Sequence, residues 1–354
     1  MTMNPILIVK IGAVGDVLRT TSLLQGLKEH FPGNPIWWVT SQGGMELLKN
    51  NPFIGKIILW DDGGFTDLAA SAYFRIIILE EDEEVCRFAS GLTGEKVGYI
   101  WKDGKVVPTS SAAEWHAMSA LGKKPRNDEL KKANRKTWQR IMQEIVGIRP
   151  KQFDTLLYLT AQEKAFGDGF AKKNGIEKDD LVIGVNTGAG GRWPLKILSE
   201  EKTIELIEKI KNELHPKEIN NSKNKKTKKQ IKIILLGGPE EAGRNKRIAF
   251  GVSGVIDAGC DNDLRQFASI VNICDVVVTS DSLAMHIAIA LRKMVVAFFA
   301  PTSSAEIELY GMGEKVVPRG GCVCCYKKDG LAKPSCNDML EVDDFIEALK
   351  KVIR

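Results

Sequence analysis

No long apolar run opens this sequence. Residues 1–10 begin apolar but give way to Lys10, Gly12, Gly15 and Asp16 before a signal-peptide core or a membrane span is complete. The expected place of the chain is therefore the cytoplasm. Cysteine is sparse and odd in number. There are seven, and Cys322, Cys324, Cys325 and Cys336 crowd one stretch, unlike the disulfide framework of a small secreted domain. Reduced thiols are the expectation. The spacing C-x-C-C followed by ten residues fits neither a zinc ribbon nor a ferredoxin run, so no metal site is expected there. A complete G-x-G-x-x-G is also lacking, which weighs against a dinucleotide-dependent oxidoreductase.

Charge of one sign is concentrated in a single place. Between Pro216 and Gln230 six lysines stand against Glu218, so this segment carries the whole formal excess of +5 and the rest of the chain is balanced. Residues 216–230 read as a solvated, flexible insertion before a strand. The functional alternative is transient attraction to an anionic membrane surface, worth ~1 kcal/mol per lysine close to the lipid. The stretch has no stacking aromatics, so nucleic acid is not an expected partner.

What is present is a repeated alternation of short β-branched runs with longer amphipathic segments, the pattern of parallel βαβ units. In the first half Ile6–Ile11, Pro35–Val39, Lys56–Leu59 and Ile76–Leu79 read as strands, and Thr20–His30 and Asn134–Val146 as helices. A second series follows the polar stretch Thr160–Asp180. Its strands are Leu181–Asn186, Ile231–Leu236, Val255–Asp257, Asp275–Thr279 and Val295–Phe299, and residues 342–353 form a terminal docked helix. Two similar open α/β domains are expected, over 1–165 and 166–354. In such sheets ligands bind beyond the carboxyl ends of the strands, and two such domains facing each other make one cleft.

Four strand ends carry polar chemistry. After the first strand, Gly12 and Gly15 allow a tight turn, and Asp16 lies at the mouth of a helix as either a cap or a catalytic acid–base. Asn186-Thr187-Gly188-Ala189-Gly190-Gly191-Arg192 with Lys196 combines exposed backbone N–H groups, a hydroxyl and two cations, which suits a diphosphate; otherwise it is a flexible turn. Gly237-Gly238-Pro239-Glu240-Glu241 ends the next strand in acids, either complementing a helix dipole or, at Glu241, gripping ribose hydroxyls. Ser280-Asp281-Ser282-Leu283-Ala284-Met285-His286 opens an apolar helix whose capped start is a second anion site. His286 inside it is either a core residue or part of that site.

In order and separation these stretches resemble glycosyltransferase family 9, the heptosyltransferases of the lipopolysaccharide inner core. The strongest marks are Ile11-Gly12-Ala13-Val14-Gly15-Asp16-Val17-Leu18 and Ser280-Asp281-Ser282-Leu283-Ala284-Met285-His286. The resemblance implies a GT-B architecture of two facing Rossmann-like domains with a cleft between them, the acceptor on the first and an ADP-sugar on the second. It implies ADP-heptose as donor, and as acceptor a phosphorylated or acidic lipid-linked saccharide such as a lipid A core. Asp16 becomes the general base. Thr187, Gly188 and Lys196 match the donor-phosphate loop, Glu241 the ribose contact, and Asp281, Ser282, Leu283, Ala284 and His286 the donor-binding helix start. The family's Lys-x-Trp-Pro is absent: Arg192-Trp193-Pro194 precedes Lys196 instead, so either cation suits the phosphate.

The resulting expectation is an inverting transfer of heptose that requires no metal or other cofactor, on the inner face of the cytoplasmic membrane. The alternatives are a transferase of the same fold using another nucleotide-sugar and a protein that binds nucleotide or saccharide without turnover.

Overall fold

The structure, a computed structural model, describes residues 3–60, 68–120, 125–191, 193–214, 230–320, 325–326 and 334–353. Among these, twelve strands form two six-stranded sheets. The first contains β1 (Ile6–Val9), β2 (Ile36–Thr40), β3 (Ile54–Leu59), β4 (Ala72–Ile78), β5 (Thr93–Lys102) and β6 (Lys105–Pro108), in the order β3-β2-β1-β4-β5-β6. The second contains β7 (Leu181–Asn186), β8 (Ile231–Leu236), β9 (Val255–Asp257), β10 (Val276–Ser280), β11 (Met294–Phe298) and β12 (Gly313–Val316). Read from the other edge, its order is β9-β8-β7-β10-β11-β12. Each sheet thus has the Rossmann order 3-2-1-4-5-6, and each reverses direction between its first and fourth strands. Apart from the antiparallel β5–β6 pair, the pairings are parallel.

The central strands are unbroken apolar runs because helices cover both faces of a parallel sheet. Ile6, Leu7, Ile8 and Val9 of β1 and Val276, Val277 and Val278 of β10 are fully or almost fully buried. The terminal helix Val342–Val352 packs Phe345, Ile346 and Leu349 into the core of the second sheet; each such side chain contributes about 1.5–3 kcal/mol.

The strands of the second series lie within a residue of their expected limits, while the first half departs further. The segment expected as one helix over Thr20–His30 is two, Val14–Thr20 and Leu23–His30. The hydroxyls of Thr21 and Ser22 donate to the carbonyls of Leu18 and Arg19, local bonds that compete with a continuous helix. Strand β5 was not expected, since glycines and lysines interrupt it. Gly98 adopts φ +101°, and a Cβ there would overlap the carbonyl of Ile78 on β4, so the glycine is what lets the two strands approach. The β5–β6 hairpin turns on Asp103-Gly104, both with positive φ.

The chain forms two compact units, residues 1–158 with 305–308, and 159–304 with 309–354. The polar stretch 160–180 holds the helix Ala161–Lys173, started by a Thr160–Glu163 capping box. Glu163 also binds Arg265 on the helix Leu264–Ile273 at 2.7 Å, and that guanidinium holds its carboxyl down at about 2. A Cβ at Gly167 would press on the Ser269 carbonyl, so the two helices touch closely. These contacts tie residues 161–173 to the second unit.

Candidate active site

In the second unit polar residues gather at the switch point between β7 and β10. Asn186, the last residue of β7, donates through Nδ2 to the Gly188 carbonyl at 2.6 Å, and lies 3.2 Å from Thr279 Oγ1 and 3.4 Å from Ser282 Oγ across the switch. The hydroxyls of Thr279 and Ser282 are 3.0 Å apart. This engagement has a consequence for the helix Leu283–Ala290. Ser282 is its N-cap by position, yet its side chain makes no capping bond. The N–H groups of the first turn therefore keep their anion-binding capacity. Ser282, Leu283 and Ala284 line a cavity of about 430 Å³, whose opposite wall is Gly188, Gly238 and Glu241 and whose apolar flank is Leu264 and Phe267. That size and mixture of walls suit a nucleotide-sized ligand.

Lys196 and Asp281 are joined one residue before that helix start. Lys196 Nζ donates to both the carboxylate and the carbonyl of Asp281, each at 2.8 Å. Burial disfavours the charged carboxyl, but the charges of Lys196 and His286 outweigh it and pull Asp281 down to about 2. His286 is buried in the helix. Lys196, Asp281 and His286 are not part of the cavity wall; they fix the loop that carries it.

Glu241 accepts a hydrogen bond from Gly238 N at 2.8 Å and is nearly buried. A Cβ at Gly188 would overlap its carboxyl group. The glycine in the β7 loop is thus required by the acid in the β8 loop. Gly188→Ala is expected to push the Glu241 carboxyl aside with little loss of stability, read as weaker nucleotide binding by calorimetry. Unchanged binding would mean that Glu241 does not touch the nucleotide. Thr187 turns inward: its hydroxyl lies 2.5 Å from Asn245 Oδ1 and 3.2 Å from the Leu236 carbonyl, and it is 5% exposed. Asn245, fully buried, had no signal in the sequence.

The first unit has a corresponding site at the switch between β1 and β4. Glu80, two residues past β4, places Oε1 2.6 Å from Ile11 N, 2.8 Å from Gly12 N and 2.9 Å from Lys10 Nζ. A carboxylate of the chain itself thus occupies the backbone donors that meet a phosphate in dinucleotide folds. Asp16 lies in the first turn of Val14–Thr20 and pairs with Arg19 at 2.9 Å; Arg19 in turn lies over the Trp138 ring at 4.1 Å. Asp16, Glu80, Glu81, Tyr99, Trp115 and Ser119 are among the residues lining a cavity of about 190 Å³. A Cβ at Gly12 would meet nothing within 4 Å, and Gly15 sits inside the helix.

The structure therefore groups Gly188, Glu241, Ser282, Leu283 and Ala284 around one cavity, and Asp16 beside another. Arg192, residues 216–229 of the lysine-rich insertion, Cys322 and Cys324 lie outside the described residues. Cys325 is a free thiol and Cys336 is buried. Among the described residues no cluster of three or more His, Cys, Asp or Glu could hold a metal, and no helix is long and apolar enough to cross a membrane. Glu80 and Glu81 were missed although they directly follow the strand expected over Ile76–Leu79; Trp115 has no such signal in its local sequence.

Solved structures share this fold over nearly the whole chain. A glycosyl transferase family 9 protein from Veillonella parvula matches with a TM-score of 0.73 at 16% identity, covering 99% of this chain and 97% of its own. The E. coli ADP-heptose lps heptosyltransferase II matches at 0.65 and 17%, covering 99% and 98%. E. coli heptosyltransferase WaaC, solved with ADP, matches at 0.58 and 18%, covering 99% of each. No curated protein sequence matches significantly. The fold is the GT-B architecture of these structures. The sequence model of glycosyltransferase family 9 (heptosyltransferase) matches residues 222–332, less than half of the chain but a span holding the Glu241 loop and the 280–286 motif.

Proposed function

We propose that this glycosyltransferase moves a heptose from ADP-heptose to a hydroxyl of a lipid-linked saccharide, with inversion and without a divalent ion. The observation that carries the donor side is the helix start at Leu283: its side-chain cap is absent, and it opens on a cavity that also holds Glu241. In this reading the diphosphate sits at the helix N-terminus and Glu241 grips the ribose. The positive end of the helix and the nearby Lys196 stabilise the charge that develops on departing ADP. Asp16 takes the proton of the attacking hydroxyl. The ADP-heptose and ADP named for two of the structural neighbours support the choice of nucleotide. A lipid-linked acceptor would bring the chain to the cytoplasmic face of an anionic membrane.

Glu80 disfavours a dinucleotide in the first unit, because pyrophosphate there would meet a carboxylate already holding the backbone donors. The test is a thermal-shift and calorimetric screen against ADP, ADP-heptose, UDP-sugars, GDP-sugars and NAD⁺, with EDTA throughout. ADP at a hundred times its Kd should stabilise the protein by about 2.7 kcal/mol. A preference for another nucleotide, or binding only after metal is restored, would overturn the donor assignment.

A further inference from the structure

We infer that the saccharide bound in the first unit's cavity is an uncharged, hydroxyl-rich sugar, not one bearing a carboxylate or a phosphate. The inference rests on the transferase reading and departs from the acidic acceptor that the sequence resemblance implies.

The charged residues lining this cavity, among those described, are Lys10, Asp16, Glu80 and Glu81, three carboxylates against one lysine. Among the described residues the cations at the cavity are engaged. Lys10 holds Glu80 at 2.9 Å, and Arg19 holds Asp16 at 2.9 Å while stacked on Trp138. His116 faces Glu81 at 3.9 Å, and Lys131, over the Trp115 ring, pairs with Glu306. An acidic sugar would find the backbone donors after β1 taken by Glu80, and would have to break three hydrogen bonds to reach them. It would also face Asp16 and Glu81, and juxtaposed like charges are costly in a partly desolvated pocket.

Beside the charges, the cavity contains a buried hydroxyl whose hydrogen bonding is incomplete. Tyr99 is 2% exposed and lines the cavity; Ser119 and Glu81 stand beside its hydroxyl, but neither meets it with full hydrogen-bond geometry. Burial pushes its phenol up, so it stays protonated. A buried hydroxyl held in poor hydrogen-bond geometry gains from a better-placed acceptor. Carboxylates that accept from sugar hydroxyls, a phenol that donates to one, and the apolar walls of Leu79, Trp115, Trp138 and Met142 together suit a neutral ring.

Saturation-transfer NMR on the full chain would compare methyl hexosides of gluco, galacto and manno configuration, each beside its uronate and its 6-phosphate. At least one neutral glycoside should bind, with its charged counterparts about tenfold or more weaker. Tyr99→Phe, which removes only the poorly bonded hydroxyl, should weaken the neutral sugar with little change in the melting temperature. Glu81→Gln should narrow the discrimination against the uronate. Equal or tighter binding of uronate or phosphate, or no signal from any neutral glycoside, overturns the inference. ADP is titrated into the same samples to separate the two readings. ADP binding with acidic sugars preferred leaves the transferase standing and removes this acceptor class. A neutral sugar bound by a chain that ignores ADP does the reverse.

Discussion

Asp16→Asn is expected to lower transfer by about 10²–10⁴-fold, the usual contribution of a positioned general base, while ADP binding is retained. The cavity proposed for the donor is lined by residues of the second unit, and Asp16 is not among them. Nor should the fold suffer. Asp16 is partly exposed, and its pairing with Arg19 is a short-range helix-surface contact worth roughly 0.2–1 kcal/mol. Arg19 keeps its stacking on Trp138 in the variant. Single-turnover assays with a panel of lipid-linked acceptors would read the loss, and calorimetry the retained ADP affinity. An Asn variant with undiminished transfer would remove Asp16 from the base role. A chain that binds ADP and never transfers, with or without Asp16, would point to binding alone.

A second large effect is expected at Lys196. Its partner Asp281 is largely buried, and Lys196→Met would leave that carboxylate without its main counter-charge. Removing one member of a buried pair costs about 3 kcal/mol or more, which for a unit of this size lowers the melting temperature by roughly 6–12 °C. The pH dependence gives a sharper reading. In the native protein Asp281 titrates at about 2 instead of its ordinary 3.8, so its stabilising contribution is present above the ordinary value and is lost as pH falls through about 2. In the variant burial dominates and raises the carboxyl. The deficit relative to the native protein should therefore be largest near neutrality and shrink as pH is lowered through 4 towards 2. A deficit independent of pH would show that Lys196 contributes packing and not charge.

How far these sites were legible in the sequence differs between the units. The placing of Gly188, Glu241 and Ser282 at strand ends in the second unit was largely readable, because each follows a strand whose β-branched run is clear locally. The structure adds that Thr187 turns to Asn245 and that Ser282 leaves its helix uncapped. The first unit was less legible. Tyr99 lies on the unexpected strand β5, and Trp115 and Ser119 lie on the helix Ala113–Ser119, whose sequence has no marked apolar periodicity.

The sequence by itself determined the alternation of strand and helix, the burial of the central strands and the polar character of each strand end. Those properties depend on neighbours a few positions away, where side-chain period and turn chemistry act. Only the tertiary structure decided which ends meet. Glu80 reaches the amide of Gly12 across 68 positions, Lys196 reaches Asp281 across 85, and Asn186 approaches Ser282 across 96. Such contacts follow from the strand order, which brings β1 beside β4 and β7 beside β10. Local pattern cannot encode them, because the bonds form only after the sheet has paid the entropy of closing the intervening loops.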